Sequence, residues 1–370
     1  MVKNGTGMAV SGGGFRATLF HLGAFWRMND LGYLKKINRI SSVSGGSITA
    51  ALLGLKWKKL KFNENGSALN FKDEVAKPLQ DFCSQKVDVP AVLGGWLSIF
   101  KSPGDIITKR YNRLFKGTTL RDLPRDDDGP RFIIYATNLQ TGSSFRFSRP
   151  YMGDYLIGLS DDPRVSLAQA VAASSAFPPV LTPIMLDGSS ITWRDGDNQK
   201  LKNQADFKND IYLSDGGVYD NLGLETIWRT FETVIVSDAG APFKFQSKPW
   251  LLKFSQLKKM LRVLDITVNQ TRALRKRQLI NDFKNNIRKG TYWGIATHIN
   301  DYDLPDAMVK DNENTAALKG IRTRLDSFSE KEQGQLINWG YALCDAAIRK
   351  HVQTNLPAPD GFPIPEVCIG

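Results

Sequence analysis

The sequence predicts an open α/β fold on a mostly parallel sheet, with helical insertions. Three observations carry this. A short apolar strand followed by a helical segment occurs twice within the first 55 residues. Further short apolar runs recur between helical stretches as far as residue 237. The 370-residue chain is 42% apolar and 23% charged, with no repeat, low-complexity block or linker to divide it. The whole chain, 1–370, is therefore expected to fold as one enlarged domain, although its length alone suggests about two.

Gly7–Ser11 (GMAVS) is short, apolar and runs into Gly12, Gly13 and Gly14, the pattern of a buried strand leaving a sheet. Phe15–Asp30 has helical spacing, with Leu19, Leu22, Trp26 and Leu31 near one face and Gly32 at the C-terminal cap. Arg39–Val43 (RISSV) is a second strand, and Gly45–Leu55 (GGSITAALLGL) the helix that leaves it. Strands joined by a single helix are parallel, with a right-handed crossover, so their C-terminal ends share an edge. The glycine loop and Ser44 are expected to meet there, where open α/β sheets place ligands. Later strands are expected at Arg131–Ala136, Ile211–Ser214 and Thr233–Ser237, with a helix over Ser166–Ser174. Residues 89–117 mix an apolar stretch containing Trp96 and Phe100 with Arg110, Tyr111 and Arg113. They read either as a lid or interfacial insertion or as a helix packed on the core. The final third reads as largely helical, up to Leu336–Val352.

Composition removes several function classes. Cys83, Cys344 and Cys368 are too few and too scattered for a disulfide framework or a zinc site, and point to a reducing compartment. Met1–Gly7 has no apolar signal core, and no apolar run reaches the roughly 18 residues of a spanning helix. A cytoplasmic protein with peripheral membrane contact is expected, non-classical export being the alternative. The net charge of +12 is uneven, since residues 251–290 hold eleven Lys and Arg against Asp265 and Asp282. Such a helical segment suits anionic headgroups, nucleic acid or an acidic partner, unless it is only a solvated face. No recognised nucleic-acid module accompanies it. Trp57 and Phe62 among Lys56, Lys58, Lys59 and Lys61 form a smaller basic group, which also fits the end of the helix begun at Gly45.

Ser42-Val43-Ser44-Gly45-Gly46 approximates the nucleophile elbow G-x-S-x-G, with Ser42 for the first glycine. The elbow needs small residues two before and two after the serine, because strand and helix nearly collide at a sharp turn. The helix after Ser44 directs free N–H groups toward a developing alkoxide. Gly12, Gly13 and Gly14, one helix away, suit an oxyanion hole, and Arg16 beside them suits a support for the loop or a phosphate contact. No G-K-[ST] follows, so this is not a phosphate-cradling P-loop. Gly12, Gly14 and Ala17 also fit a dinucleotide pattern, but the second strand ends in Ser44 where an acidic residue is needed.

A base is required next. Of the three histidines, His21 falls inside a helix as a packed residue, His351 in a basic terminal helix, and only His298 suits a triad. Asp215, ending a strand before Gly216 and Gly217, is the stronger candidate, because a carboxylate in an apolar cleft has a raised pKa and is a better base. Asp238, in another strand-end Ser-Asp-Ala-Gly, is its competitor, and Asp220 lies mid-loop. Asp-Gly pairs also merely order turns.

Together these residues resemble the bacterial patatin-like phospholipases. SGGGFRATLFHLG (Ser11–Gly23), SSVSGGS (Ser41–Ser47), ASSAFPPVLTP (Ala173–Pro183), SDGGVYDNLGLE (Ser214–Glu225) and SDAG (Ser237–Gly240) follow in that family's order. The resemblance implies a three-layer α/β/α fold, Ser44 as nucleophile, Asp215 as base in a dyad, Gly12, Gly13 and Gly14 as oxyanion donors, and no metal or cofactor. It implies hydrolysis of phospholipid or lysophospholipid acyl esters. A general esterase or thioesterase on soluble acyl compounds, or a non-catalytic lipid- or nucleotide-binding module, is the alternative. Oligomeric state is not legible in the sequence.

Overall fold

A computed structural model describes residues 2–85, 103–179, 181–194, 200–201, 203–247, 255–323 and 325–370. Among them, ten strands form one sheet: β1 Lys3–Val10, β2 Ile37–Val43, β3 Arg131–Asn138, β4 Ser144–Phe147, β5 Tyr151–Asp154, β6 Gly158–Asp161, β7 Ile184–Asp187, β8 Asp210–Asp215, β9 Phe231–Asp238 and β10 Lys289–Gly294. The neighbours β10, β9, β1, β2 and β3 are all parallel, which is the expected crossover arrangement. Among the described residues the helices of eight or more residues are α1 Gly14–Asp30, α2 Gly45–Lys56, α3 Lys77–Ser84, α4 Pro103–Phe115, α5 Leu167–Ser174, α6 Gln256–Lys284 and α7 Glu330–His351.

Strand alternation explains the layering. In β1, Met8 and Val10 join a large core with Phe20 and Phe25 of α1 and Leu336 and Leu343 of α7. Ala9 points the other way, into a second core with Ile227, Val234, Val236 and Leu279 of α6. The sheet is thus a middle layer between helices, each face burying one set of strand residues. Helices α1 and α7 cross at glycines: a Cβ on Gly340 would lie 1.9 Å from the Phe20 carbonyl oxygen, and one on Gly23 1.9 Å from that of Ile337.

Several elements differ from the sequence reading. Strands β4, β5 and β6 continue from β3 as an antiparallel meander, and β7 pairs with β8, which the reading lacked. The C-terminal third contains β10 between its helices. Within 89–117, residues 89–102 (with Trp96 and Phe100) lie outside the described residues. The remainder is no exposed flap: α4 buries Ile107, Arg110, Tyr111 and Phe115 and packs on α5. Trp57 is likewise buried, its indole N–H donating to the Asp128 carbonyl at 3.0 Å, so it presents no apolar face to a membrane. No helix among the described residues is long and apolar enough to cross a membrane.

The ends of β2 and β8 meet along β3. On one side of β3, Val43 of β2 faces Tyr135, and the next β3 residue, Ala136, faces Asp215 of β8. Strand β4 takes the other side. Strand β2 runs parallel to β3 and β8 antiparallel, so the two approach head-on and stop at adjacent positions. The residues following their meeting point are Ser44 and Gly216.

Candidate active site

Ser44 stands at the junction between β2 and α2 with φ 51° and ψ −122°, a conformation that strains any residue carrying a Cβ. Crowding enforces the turn. A Cβ on Gly45 would lie 1.9 Å from the Gly14 carbonyl oxygen, and one on Gly46 2.6 Å from that of Ser11. The departure at Ser42 is accommodated, since its hydroxyl donates to the Ile133 carbonyl at 3.2 Å and accepts from Ser47 at 3.1 Å. Ser174 at the end of α5 accepts the Ser44 backbone N–H at 2.9 Å and bonds to Ser47 at 2.9 Å. The turn is therefore clamped from three elements.

The glycine loop lies against it. Gly12 is needed for space, as a Cβ would lie 3.1 Å from that of Ser44 and 2.4 Å from Asn221 Oδ1. Its own N–H donates to the Asn221 carbonyl at 3.1 Å, so Gly12 is not an available oxyanion donor. This corrects the sequence reading: the N–H groups the loop can offer are those of Gly13 and Gly14. Gly13 holds φ 147° and caps α1, whose first turn supplies unsatisfied donors. Arg16 is buried in the first turn of α1, and its guanidinium donates to the carbonyls of Ala239 (2.7 Å), Ile321 (2.8 Å) and Lys319 (3.2 Å), none of them in the glycine loop. Burial pushes Arg16 down to about 10.

Asp215 is buried, its carboxyl accepts the Gly217 N–H at 2.7 Å, and the Ser44 side chain is near enough to favour its ionised form. Desolvation raises it to about 7, against the pull of those two groups. The other candidates are committed elsewhere. Asp238 pairs with Arg272 at 2.7 Å and accepts from Tyr292 at 2.6 Å, and although it is buried, these partners hold it below the ordinary carboxylate range. Asp220 accepts the N–H groups of Leu222, Leu224 and Glu225, ordering a turn. His298 is exposed beside Asp311 at 3.8 Å, and His351 ends α7. His21 bonds to Ser237 Oγ at 2.9 Å and the Ser11 carbonyl at 3.0 Å, and burial lowers it to about 4, so it is a neutral core residue.

Ser44, Asp215 and the three glycines open on one cavity of about 850 Å³. Ile107, Phe177, Leu181, Phe243, Val268 and Leu325 give it an apolar wall, and Lys244, Arg262, Asp265 and Asp326 charged edges. Asn221 and Ser175 also line it and were not singled out from the sequence. Their only signal there is membership of the ASSAFPP and SDGGVYDN runs. Among the described residues, no group of three or more His, Cys, Asp or Glu is placed to hold a metal ion.

A sequence model of the patatin-like phospholipases matches residues 8–228. No curated protein matches the chain in sequence. Among solved structures, human GIVD cytosolic phospholipase A2 aligns over 92% of this chain and 60% of its own, at 10% identity and a TM-score of 0.50. Its complex with methyl gamma-linolenyl fluorophosphonate aligns over 93% and 57%, at 12% identity and a TM-score of 0.50. VipD from Legionella pneumophila aligns over 94% and 67%, at 15% identity and a TM-score of 0.39. The likeness to the human enzyme is one of fold, and the chain spans about 60% of that enzyme's length.

Proposed function

The chain belongs to the patatin-like phospholipase family, and from that premise we propose that it is a lipid acyl hydrolase cleaving the carboxylic ester of a phospholipid or lysophospholipid through Ser44 and Asp215. One observation carries the reading. Ser44 and a buried carboxyl that desolvation raises to about 7 line the same largely apolar cavity, with the serine close enough to pull that carboxyl's pKa down. A base poised near neutral pH both accepts a proton and returns it.

In the first half-reaction, Asp215 takes the Ser44 proton as Oγ attacks the ester carbonyl carbon. The N–H groups of Gly13 and Gly14 face the oxyanion that forms. Collapse breaks the bond to the alcohol, which leaves with the proton from Asp215, and the acyl group remains on Ser44. Water then gives a proton to Asp215 and attacks the acyl-enzyme. The fatty acid leaves and Ser44 recovers its proton. The apolar wall supports a long acyl chain, and the net charge of +12 supports peripheral contact with an anionic membrane surface.

A fluorophosphonate probe tests the nucleophile. It should label the wild-type chain and not Ser44→Ala, and Ser44→Ala should lose about 10³-fold or more of ester hydrolysis. Normal turnover by Ser44→Ala would end the proposal. Hydrolysis of short nitrophenyl esters without any of phospholipid vesicles would move the substrate to soluble esters.

A further inference from the structure

Helix α6 is unusual in what it leaves uncovered: of its 29 residues only Leu279 is buried. It is tied to the body through its C-terminal half, by Arg272 to Asp238 at the end of β9, Arg275 to Asp220, and Trp228 to Asp282. The sixteen residues from Gln256 to Thr271 precede the first of these ties. At 1.5 Å per residue they extend the helix about 24 Å.

This arm has two different faces. Arg262, Asp265, Val268 and Asn269 line the cavity that holds Ser44. On the outer side Met260 and Val263 are 69% and 62% exposed, with Ile266 at 42%. Val263 and Arg272 are nine residues apart, two and a half turns, which sets them on opposite faces of the helix. Phe245, in the loop before α6, is 93% exposed, and Lys258 and Lys259 are exposed within the arm's first turn. Uncovered apolar side chains with Lys259 beside Val263, on the element that walls the cavity, match an anionic bilayer in chemistry.

We infer that the first four turns of α6 dock on an anionic lipid surface, inserting Met260 and Val263 while Lys259 meets the headgroups, so that the helix walling the cavity is held at the bilayer. The inference rests on the lipid-hydrolase reading for its purpose, but its test is independent of turnover.

Sedimentation with vesicles of three parts phosphatidylcholine to one part phosphatidylglycerol, using the Ser44→Ala protein, reads binding alone. The protein should bind these vesicles, bind pure phosphatidylcholine weakly, and release as salt rises. Met260→Asp/Val263→Asp should weaken binding about tenfold or more, and Lys259→Ala about fivefold, both with an unchanged unfolding temperature. Against misfolding of the acidic variant, Val263→Cys with an environment-sensitive fluorophore, in a Cys368→Ser background that removes the exposed thiol, should shift to the blue on the mixed vesicles. Binding unaffected by either of these variants, or no shift from the labelled protein, would overturn the inference. So would a concentration-dependent dimer abolished by Met260→Asp/Val263→Asp, which would assign the face to a second copy. Failure of the fluorophosphonate probe to label the wild-type protein, with vesicle binding intact, would instead remove the hydrolase reading and leave the docking surface standing.

Discussion

At the residue scale, Ser44 and Asp215 each occupy an unfavourable state. Holding φ 51° with a Cβ costs about 1–3 kcal/mol, whereas glycine loses only about 0.5–1 kcal/mol through its freer unfolded chain. Strain relief wins, so Ser44→Gly should be inactive yet more stable than Ser44→Ala, by about 1 kcal/mol in urea denaturation. Asp215 is raised from 3.8 to about 7 by burial. If it is the base it must be ionised in the free enzyme, so kcat/KM should climb with pH through about 7 and then level. The same shift makes a stability statement. The folded chain keeps a proton that the unfolded chain releases, so this contribution is complete below 3.8 and lost as pH rises through about 7. Asp215→Asn should therefore gain in unfolding temperature relative to wild type between pH 4 and pH 8, while losing hydrolysis. An unchanged difference across that range would contradict the raised pKa. Both residues were legible in the sequence because each sits in a short run of small residues at a strand end. Asn221 and Ser174 were not, since they act through positions that only the assembled loops define.

At the scale of elements, local pattern carries unequal information. Helices α1 and α7 announce themselves through spacing over 17 and 22 residues. Strands β4 to β7 are four residues each, with polar and glycine positions that read equally well as turns. Their pairing comes from tertiary contacts with β3 and β8, which no short window contains. The close crossing of α1 and α7 was equally invisible. There Gly→Ala has two opposed effects: about 1 kcal/mol gained in helix propensity, and a Cβ driven to 1.9 Å from a backbone oxygen. Backbone cannot swing aside like a flexible side chain, so helices must separate, at a cost of about 1–3 kcal/mol or more. Gly340→Ala should therefore lower the urea midpoint, whereas Gly361→Ala, with nothing within 4 Å of its Cβ, should not. Equal midpoints would mean that the crossing is looser than described.

At the scale of the whole molecule, the site exists because distant segments end at the same place. The head-on meeting of β2 and β8 along β3 joins residues about 170 positions apart, and sequence supplies only the order of the motifs, not the register that makes them touch. A second long-range tie joins α6 to the edge that carries the glycine loop. Arg272 bonds Asp238 and the carbonyls of Gly240 and Ala241, while the neighbouring Ala239 carbonyl takes Arg16. Asp238 is buried, and Arg272 is its only cationic partner among the described residues. Arg272→Ala should therefore cost about 3–5 kcal/mol, because it leaves an uncompensated buried carboxylate rather than because the pair is strongly stabilising. Adding Asp238→Asn removes that charge, and Tyr292 and the Gly240 N–H still find an acceptor. In a double-mutant cycle the pair of changes should cost less than Arg272→Ala alone. Simple additivity would show that α6 is anchored by its packing around Leu279 and not by the ion pair.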